Sequence, residues 1–450
     1  MVVAGGGVAA LEAILALREL VGRRAQIDLL APNPEFVYRP LAAVEPFGLG
    51  EVQTISIDQI AADIGFVPHR DLLESVDPGR SAVITAGGCE LVYDALLVAV
   101  GARAETALPG ALTYSGPESN DELRALLDSL RAGNLRRLIF AVPPLARWAL
   151  PLYELAVLTA RYARREGIAA DLLLVTPEAE PLELFGPRAS EGVRQLLAIE
   201  GVGLHPSVAP AAVRDGELRL ASGEALEADA IVALPRFLAP PIPGLPQGPN
   251  GFVGTDGFMR VDGLSGVWAA GDITWFPIKQ GGLAAQQADA AASGIANRLD
   301  PAVEMRPFTP VLRGALMTGW TPHYLRAPLR RPAEGSAGTT APLWWPPSKV
   351  AGRLLAPYLG RLRDVEPASP PLEDLGSPTE TSLAEREADH QDALELALTA
   401  ADLDARERDC VAALRWLEVA EHLNLTLPPE YARKRERWIA QKAMQGPEAR

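Results

Sequence analysis

The chain has 450 residues, 48% of them hydrophobic, with 57 Asp and Glu against 42 Lys and Arg and a net charge of −15. That length and apolar fraction allow about two to four domains with sizeable cores. The acidic balance argues against a broad nucleic-acid surface, which needs clustered Lys and Arg.

Cys89 and Cys410 lie far apart in no CxxC pattern, and the five histidines show no ligand spacing. Neither a disulfide framework nor a metal site is expected. No run of about 18 apolar residues predicts a membrane span. The N-terminus already reads as the first strand of a fold with no signal peptide ahead of it, which predicts a cytoplasmic protein. That strand is short, which leaves room for a start a few residues upstream.

"VVAGGGVAALEAILALREL", residues 2–20, reads as a buried strand, a glycine turn and a helix. Val8, Leu11 and Leu15 fall on one helical face, and Ile14, Leu17 and Val21 form a second apolar row. Gly5-x-Gly7-x-x-Ala10 is a dinucleotide fingerprint with Ala as its third small residue. Gly5 permits the tight turn, Gly7 lets backbone approach a pyrophosphate, and Ala10 lets helix pack on strand. The second strand, residues 25–30, ends in Ala31-Pro32 where an acid normally binds a ribose hydroxyl. The ribose is then expected to rest on backbone or on Asn33. Residues 81–98 predict a hairpin carrying Cys89, and residues 93–104 an apolar strand ending at Gly101.

Residues 111–240 read as a second α/β unit. A strand at 135–142 is followed by a helix in "LPLYELAVLTARYARREG", then by a strand at 171–177. A helix and strand fill 186–205, and a hairpin with a final buried strand fills 213–235. After the first of these strands stands Val142-Pro143-Pro144-Leu145-Ala146-Arg147-Trp148, with no glycine. Proline has no N–H to offer a phosphate, and side chains stand where glycine would admit a pyrophosphate. Thr176-Pro177 replaces the acid expected after "LLLV". NAD(P)H is therefore expected to bind poorly. Residues 266–274, "GVWAAGDIT", read as a strand ending in Gly271-Asp272, and residues 279–299 as a helix with small residues on its first turns.

Three stretches in this order, 2–20, 93–104 and 266–299, resemble the two-dinucleotide-domain flavoprotein oxidoreductases, the glutathione-reductase-like superfamily. The resemblance covers residues 1–310. It implies an α/β fold of two Rossmann-like domains, to which the residues beyond 310 add a C-terminal extension ending in a small helical module. It implies FAD in the domain built from residues 1–110 and 245–310, and a second dinucleotide-type domain at 111–244, in which the missing glycines lead us to expect no NAD. Carried over residue by residue, Gly5, Gly7, Gly101, Gly271 and Asp272 are FAD contacts. Val8, Ala9, Ala31, Pro32, Arg39, Val76, Ala99, Lys279, Gln280 and Gly281 complete the expected cofactor-binding set.

"VPP" after the second domain's first strand is similar to sulfide:quinone oxidoreductases and flavocytochrome c sulfide dehydrogenases. Those enzymes place cysteines beside the flavin, and this second domain has none, so their usual sulfide chemistry is not expected. Glu154 lines up with a glutamate that many superfamily members place near the isoalloxazine. It reads either as a proton relay or as a first-turn acid favoured by the helix dipole. Residues 276–290, "FPIKQGGLAAQQADA", resemble the glutamine-containing helix beside the quinone in type II NADH dehydrogenases. There Lys279 would stabilise negative charge on the reduced ring, and Gln280, Gln286 and Gln287 offer amide hydrogen bonds. Helix capping without catalysis is the alternative. Glu154, Lys279 and Gln280 are the expected catalytic residues.

Beyond residue 310 the resemblance fades. Residues 330–342 read as a loop. Residues 343–363 pair Trp344 and Trp345 with Lys349, Arg353, Arg361 and Arg363, and Val350, Leu354 and Tyr358 recur at helical spacing. This is either an interfacial membrane segment or a lid over the flavin domain. Residues 364–382 read as a Pro-, Ser- and acid-rich linker. Residues 383–445 read as a helical module with a capping box at Ser382 and Glu385, an apolar stripe through Val411, Leu414, Leu417, Val419 and Leu423, and a last helix with Tyr431 and Trp438. It is a candidate partner-binding unit.

The resulting expectation is an FAD-dependent oxidoreductase, cytoplasmic or at the inner face of the membrane, passing electrons to a quinone-like or other small acceptor. Two alternatives stay open. One is an NAD(P)H dehydrogenase with atypical nucleotide docking, which rapid flavin reduction by NADH would favour. The other is a non-enzymatic flavoprotein or scaffold acting through its C-terminal helices, which a donor-independent flavin would favour.

Overall fold

The computed structural model describes residues 1–319, 321–329, 337–340, 342–344, 347–362 and 427–444, together with Leu398, Leu414 and Leu417. The expected linker, the capping box at Ser382 and most of the 383–428 stripe lie outside the described residues.

Two parallel five-stranded sheets form the frame. The first runs in the order Val267–Ala269, Leu96–Val98, Val2–Ala4, Asp28–Leu30, Val67–His69. The second runs Leu112–Thr113, Ala230–Ala233, Arg137–Ala141, Asp171–Val175, Val202–His205. All pairings within both are parallel. The central strands are short unbroken apolar runs because a parallel sheet is covered on both faces. Val3, Leu29 and Leu97 meet the helices, while Val2, Leu30, Leu96 and Val98 meet an apolar cluster on the other face.

Helices α1 (Val8–Val21), α2 (Ile57–Ile64), α3 (Asn120–Arg131), α4 (Leu150–Arg165), α5 (Pro187–Glu200) and α6 (Gly281–Leu299) connect or cover these sheets. The α6 helix packs along α1. Ala10, Ala13, Ala288, Ala291 and Ala292 are all fully buried in that seam's cluster, and small side chains let the two backbones approach. An antiparallel pair, Arg103–Glu105 with Arg236–Leu238, joins the two sheet units where the chain crosses between them.

The hairpin expected at 213–227 is instead a three-stranded meander, Pro210–Arg214, Glu217–Leu220 and Ala225–Glu227. The tight turn at Ser222-Gly223 adds the third strand. A matching meander, Leu73–Asp77, Ala82–Thr85 and Glu90–Val92, lies in the first unit, with Cys89 exposed at its tip.

A third sheet, Val311–Leu316, His323–Pro328 and Ala337–Thr339, packs on α4 and α5. The chain then runs as an extended strap from residue 347 into α7 (Leu355–Leu362). The strap is not one amphipathic helix, and its apolar side chains do not face outward. Val350, Leu355, Tyr358 and Leu359 are buried in the main core. Trp344 is buried edge-on to Tyr324 at 5.1 Å, and its indole N–H donates to the Ser348 carbonyl at 2.8 Å. These described side chains are therefore packed within the chain. No helix among the described residues is long and apolar enough to cross a membrane.

Leu398, Leu414, Leu417 and helix α8 (Pro429–Met444) with Tyr431 and Trp438 bury against Trp344, Tyr324 and Leu343. Part of the apolar stripe expected to bind a partner thus covers this chain's own third sheet.

Candidate functional site

The turn from Ala4 into α1 is built for a close backbone approach. Gly5 has φ +118°, and a Cβ there would strike the Ala99 carbonyl. A Cβ on Gly7 would meet nothing within 4 Å. Gly7 is the N-cap of α1 with no side chain bonded to the helix's first amides and no acid in the first turn. A helix start with free amides favours an anion. Gly271, at φ +81°, seats its backbone against this turn, where an added Cβ would stand 3.2 Å from that of Ala9.

Asp272 follows, half-buried. Burial pushes its carboxyl up, and Lys279 and Arg39 act in the opposite direction. These residues fit the pyrophosphate side of a dinucleotide. Ala31 lies beside this turn, 3.1 Å from where a Gly6 Cβ would be, and Pro32 is exposed. Asp28 in the second strand is not free for a ribose, because it pairs with His69 at 2.8 Å. Val76 is not brought to the turn: it is buried in the cluster on the far face of the sheet, and its amide donates to the Pro243 carbonyl.

Between the two sheet units lies a cavity of about 540 Å³. The start of α6 lines it with Lys279, Gln280 and Gly281. The first unit adds Arg39, Pro40, Ala42 and Ala43, the second adds Leu145 to Trp148, Leu150, Pro151 and Leu234 to Leu238, and the strap adds Lys349 and Val350. Lys279 donates to the Thr274 carbonyl at 2.5 Å and sits 3.8 Å from the centre of the Phe252 ring. Burial lowers its pKa to about 8, with Asp272 opposing.

Glu154 on α4 is buried beside Lys349, whose ammonium reaches its two oxygens at 2.5 and 2.6 Å. The Met317 amide donates to the same carboxylate at 3.0 Å. Burial raises the Glu154 pKa, and Lys349 opposes this. Sequence reasoning read Lys349 only as one of the cations of a membrane-interface segment or lid and missed this pairing. It also missed Tyr114, which lines the cavity and whose buried hydroxyl has no hydrogen-bond partner among the described residues.

The glutamines turn out to be supports. Gln280 caps α6, accepting from the Leu283 amide at 2.8 Å, and donates to the Arg313 carbonyl. Gln286 exchanges two hydrogen bonds with the backbone of Val311. Gln287 accepts from the Gly271 amide at 2.7 Å and so fixes the turn. Gln280 is therefore tied to two elements by both ends of its amide, which matches the capping alternative.

The strap is anchored by an acid inside α1. Glu12 is fully buried and accepts from the Leu354 and Leu355 amides, each at 2.7 Å. Between these positions and α6, Arg353 bridges Glu19 at 2.5 Å and Asp289 at 3.0 Å. Burial first and the Asp289 carboxylate second push the Glu12 pKa up to about 8, against the two amides and Arg353.

The corresponding turn of the second unit is built differently. Its loop runs from Val142 to Ala149 before α4 begins, with Leu145 79% exposed and Pro151 removing a further first-turn donor. Trp148 packs on Phe185. Beyond the neighbouring strand, Glu178 is bound by the Tyr153 hydroxyl at 2.8 Å and the Thr176 hydroxyl at 3.0 Å. That carboxylate already has its donors from within the protein.

Two tandem parallel sheets, a glycine turn on the first and a cavity between them give the chain the fold of the two-dinucleotide-domain oxidoreductases that the sequence resembles. No protein-family model matches the sequence. Among solved structures, the sulfide:quinone oxidoreductase of the hyperthermophilic bacterium Aquifex aeolicus matches with a TM-score of 0.67 at 20% identity, over 73% of this chain and 83% of that one. A ferredoxin reductase of Rhodopseudomonas palustris matches with a TM-score of 0.55 at 18% identity, over 72% and 81%. An NAD-dependent persulfide reductase of A. fulgidus matches with a TM-score of 0.53 at 16% identity, over 72% and 63%.

Proposed function

We propose that the protein is an FAD-dependent oxidoreductase that delivers electrons to a quinone-like or other small acceptor. The observation that carries this reading is the open, uncapped glycine turn at the head of α1 with Gly271 and Asp272 seated against it. Bound FAD would supply the two-electron chemistry, while the protein supplies position and electrostatics. Gly5, Gly7 and the first amides of α1 would hold the pyrophosphate. Lys279 keeps a cation in the cavity at the start of α6. Glu154 and Lys349 form a buried pair in the same cavity, and the carboxyl, with its raised pKa, can hold or release a proton there. The strap and the 142–149 loop wall the cavity, and apolar side chains suit a small organic acceptor. A quinone-acting protein among the structural matches supports that class.

The test is an absorbance spectrum of the purified protein followed by identification of the heat-released cofactor. One FAD per chain is expected, and Gly7→Val is expected to abolish it by filling the space for the pyrophosphate. FMN in its place, or no flavin after reconstitution with FAD, refutes the reading.

A further inference from the structure

The cavity is unlike the rest of the molecule in charge. Its lining holds Arg39, Arg147, Arg236, Lys279 and Lys349 against one carboxylate, Glu154, in a chain whose net charge is −15. A cleft lined by one sign of charge between low-dielectric walls concentrates that field and draws in the opposite ion.

The cations differ in how they are held. Lys349 is neutralised by Glu154. Arg236 pairs with Glu105 at 3.0 Å and Arg39 pairs with Glu118, all four side chains being more than a third exposed. Arg147 is exposed, lines the cavity and makes no ion pair among the described residues. It stands on the Val142–Ala149 loop, where the second unit has lost its phosphate turn. The walls around it are aromatic: Trp148, Phe237, Phe252, Trp275 and Phe276. Leu145 and Trp275 are 79% and 67% exposed among the same lining residues. Tyr114 also lines the cavity, and its buried hydroxyl has no hydrogen-bond partner among the described residues.

We infer that this cavity binds an amphiphilic acid, a flat apolar body carrying one carboxylate or sulfonate, with the Arg147 guanidinium pairing the acid group. Guanidinium suits the role because its planar fork meets a carboxylate with two parallel hydrogen bonds. The loop that no longer cradles a dinucleotide phosphate thus presents a single cation to a smaller anion. This deepens the oxidoreductase reading by naming the charge of the compound taken at its site.

Calorimetric titration of the full-length, flavin-loaded protein with naphthoate and with the uncharged naphthol tests this. Naphthoate is expected to bind about tenfold more tightly, about 1.4 kcal/mol. The preference is expected to shrink as salt screens the exposed arginine. Arg147→Gln is expected to remove the preference while leaving naphthol binding unchanged, and Arg147→Lys to retain part of it. Equal affinity for both probes, or equal loss of both in Arg147→Gln, overturns the proposal, because the side chain then acts by packing alone. Flavin content is read separately from the visible spectrum. Protein that holds no flavin yet binds naphthoate with this Arg147 dependence supports the anion site and refutes the flavin reading. Flavin-loaded protein that binds neither probe overturns the anion site alone.

Discussion

Replacing Glu12 by glutamine should change how stability depends on pH, with a sign fixed by the structure. The carboxyl is buried, and its pKa lies at about 8 instead of the ordinary 4.5. Over that window the native protein keeps a proton that the unfolded chain has released. The contribution to stability is therefore fully present below about 4.5 and is lost as pH rises through about 8. At about 1.4 kcal/mol per pH unit, the window corresponds to a ceiling of about 5 kcal/mol. Asp289 shares Arg353 with this site, so the two carboxyls take up the proton as a pair.

Glu12→Gln cannot ionise, and its amide turns one donor toward the strap amides of Leu354 and Leu355, which costs about 1–3 kcal/mol. Urea unfolding should show the variant less stable than the parent at about pH 5, with the difference shrinking and reversing toward about pH 9. Parallel stability curves for parent and variant across the whole range would refute the reasoning.

Lys279→Met should keep FAD but lower its two-electron potential by about 30 mV if the lysine's charge is worth about 1.4 kcal/mol. Redox titration against a reference dye checks this, and the difference should fade above about pH 8, where Lys279 loses its proton. Lys349→Met should destabilise the protein by about 3–5 kcal/mol, because Glu154 is left buried and unpaired, and Glu154→Gln in the same chain should recover most of the loss in thermal or urea unfolding. NADH and NADPH should bind with dissociation constants weaker than roughly 1 mM, and calorimetry giving micromolar values would contradict this.

The sequence showed much of the frame directly, because the features that build it are local. Short apolar runs such as "VVA" and "LLLV" mark strands covered on both faces, and the contrast between Gly5-x-Gly7 and Pro143-Pro144 separates the two turns within a few residues. What stayed hidden depends on distant pairing. Lys349 stands 195 positions from Glu154, and no local spacing links them. Gln280, Gln286 and Gln287 looked chemical because an amide that caps a helix is written with the same letter as one that faces a ligand. Glu12 did leave a signal: it is a lone acid inside the apolar stretch "VAALEAILAL". Such a residue needs a partner from elsewhere in the chain, and here that partner is the strap.

Because a polypeptide is made from its N-terminus, the order of parts along this chain is also an order in time. The glycine turn, both sheets and α6 are complete by residue 299, whereas Lys349 and the two amides held by Glu12 emerge later. On the ribosome the crevice therefore exists before its cover does. Through that interval Glu12 and Glu154 have neither the strap amides nor the lysine that meet them in the finished fold, and the strap that lines the cavity is the last of these parts to be made.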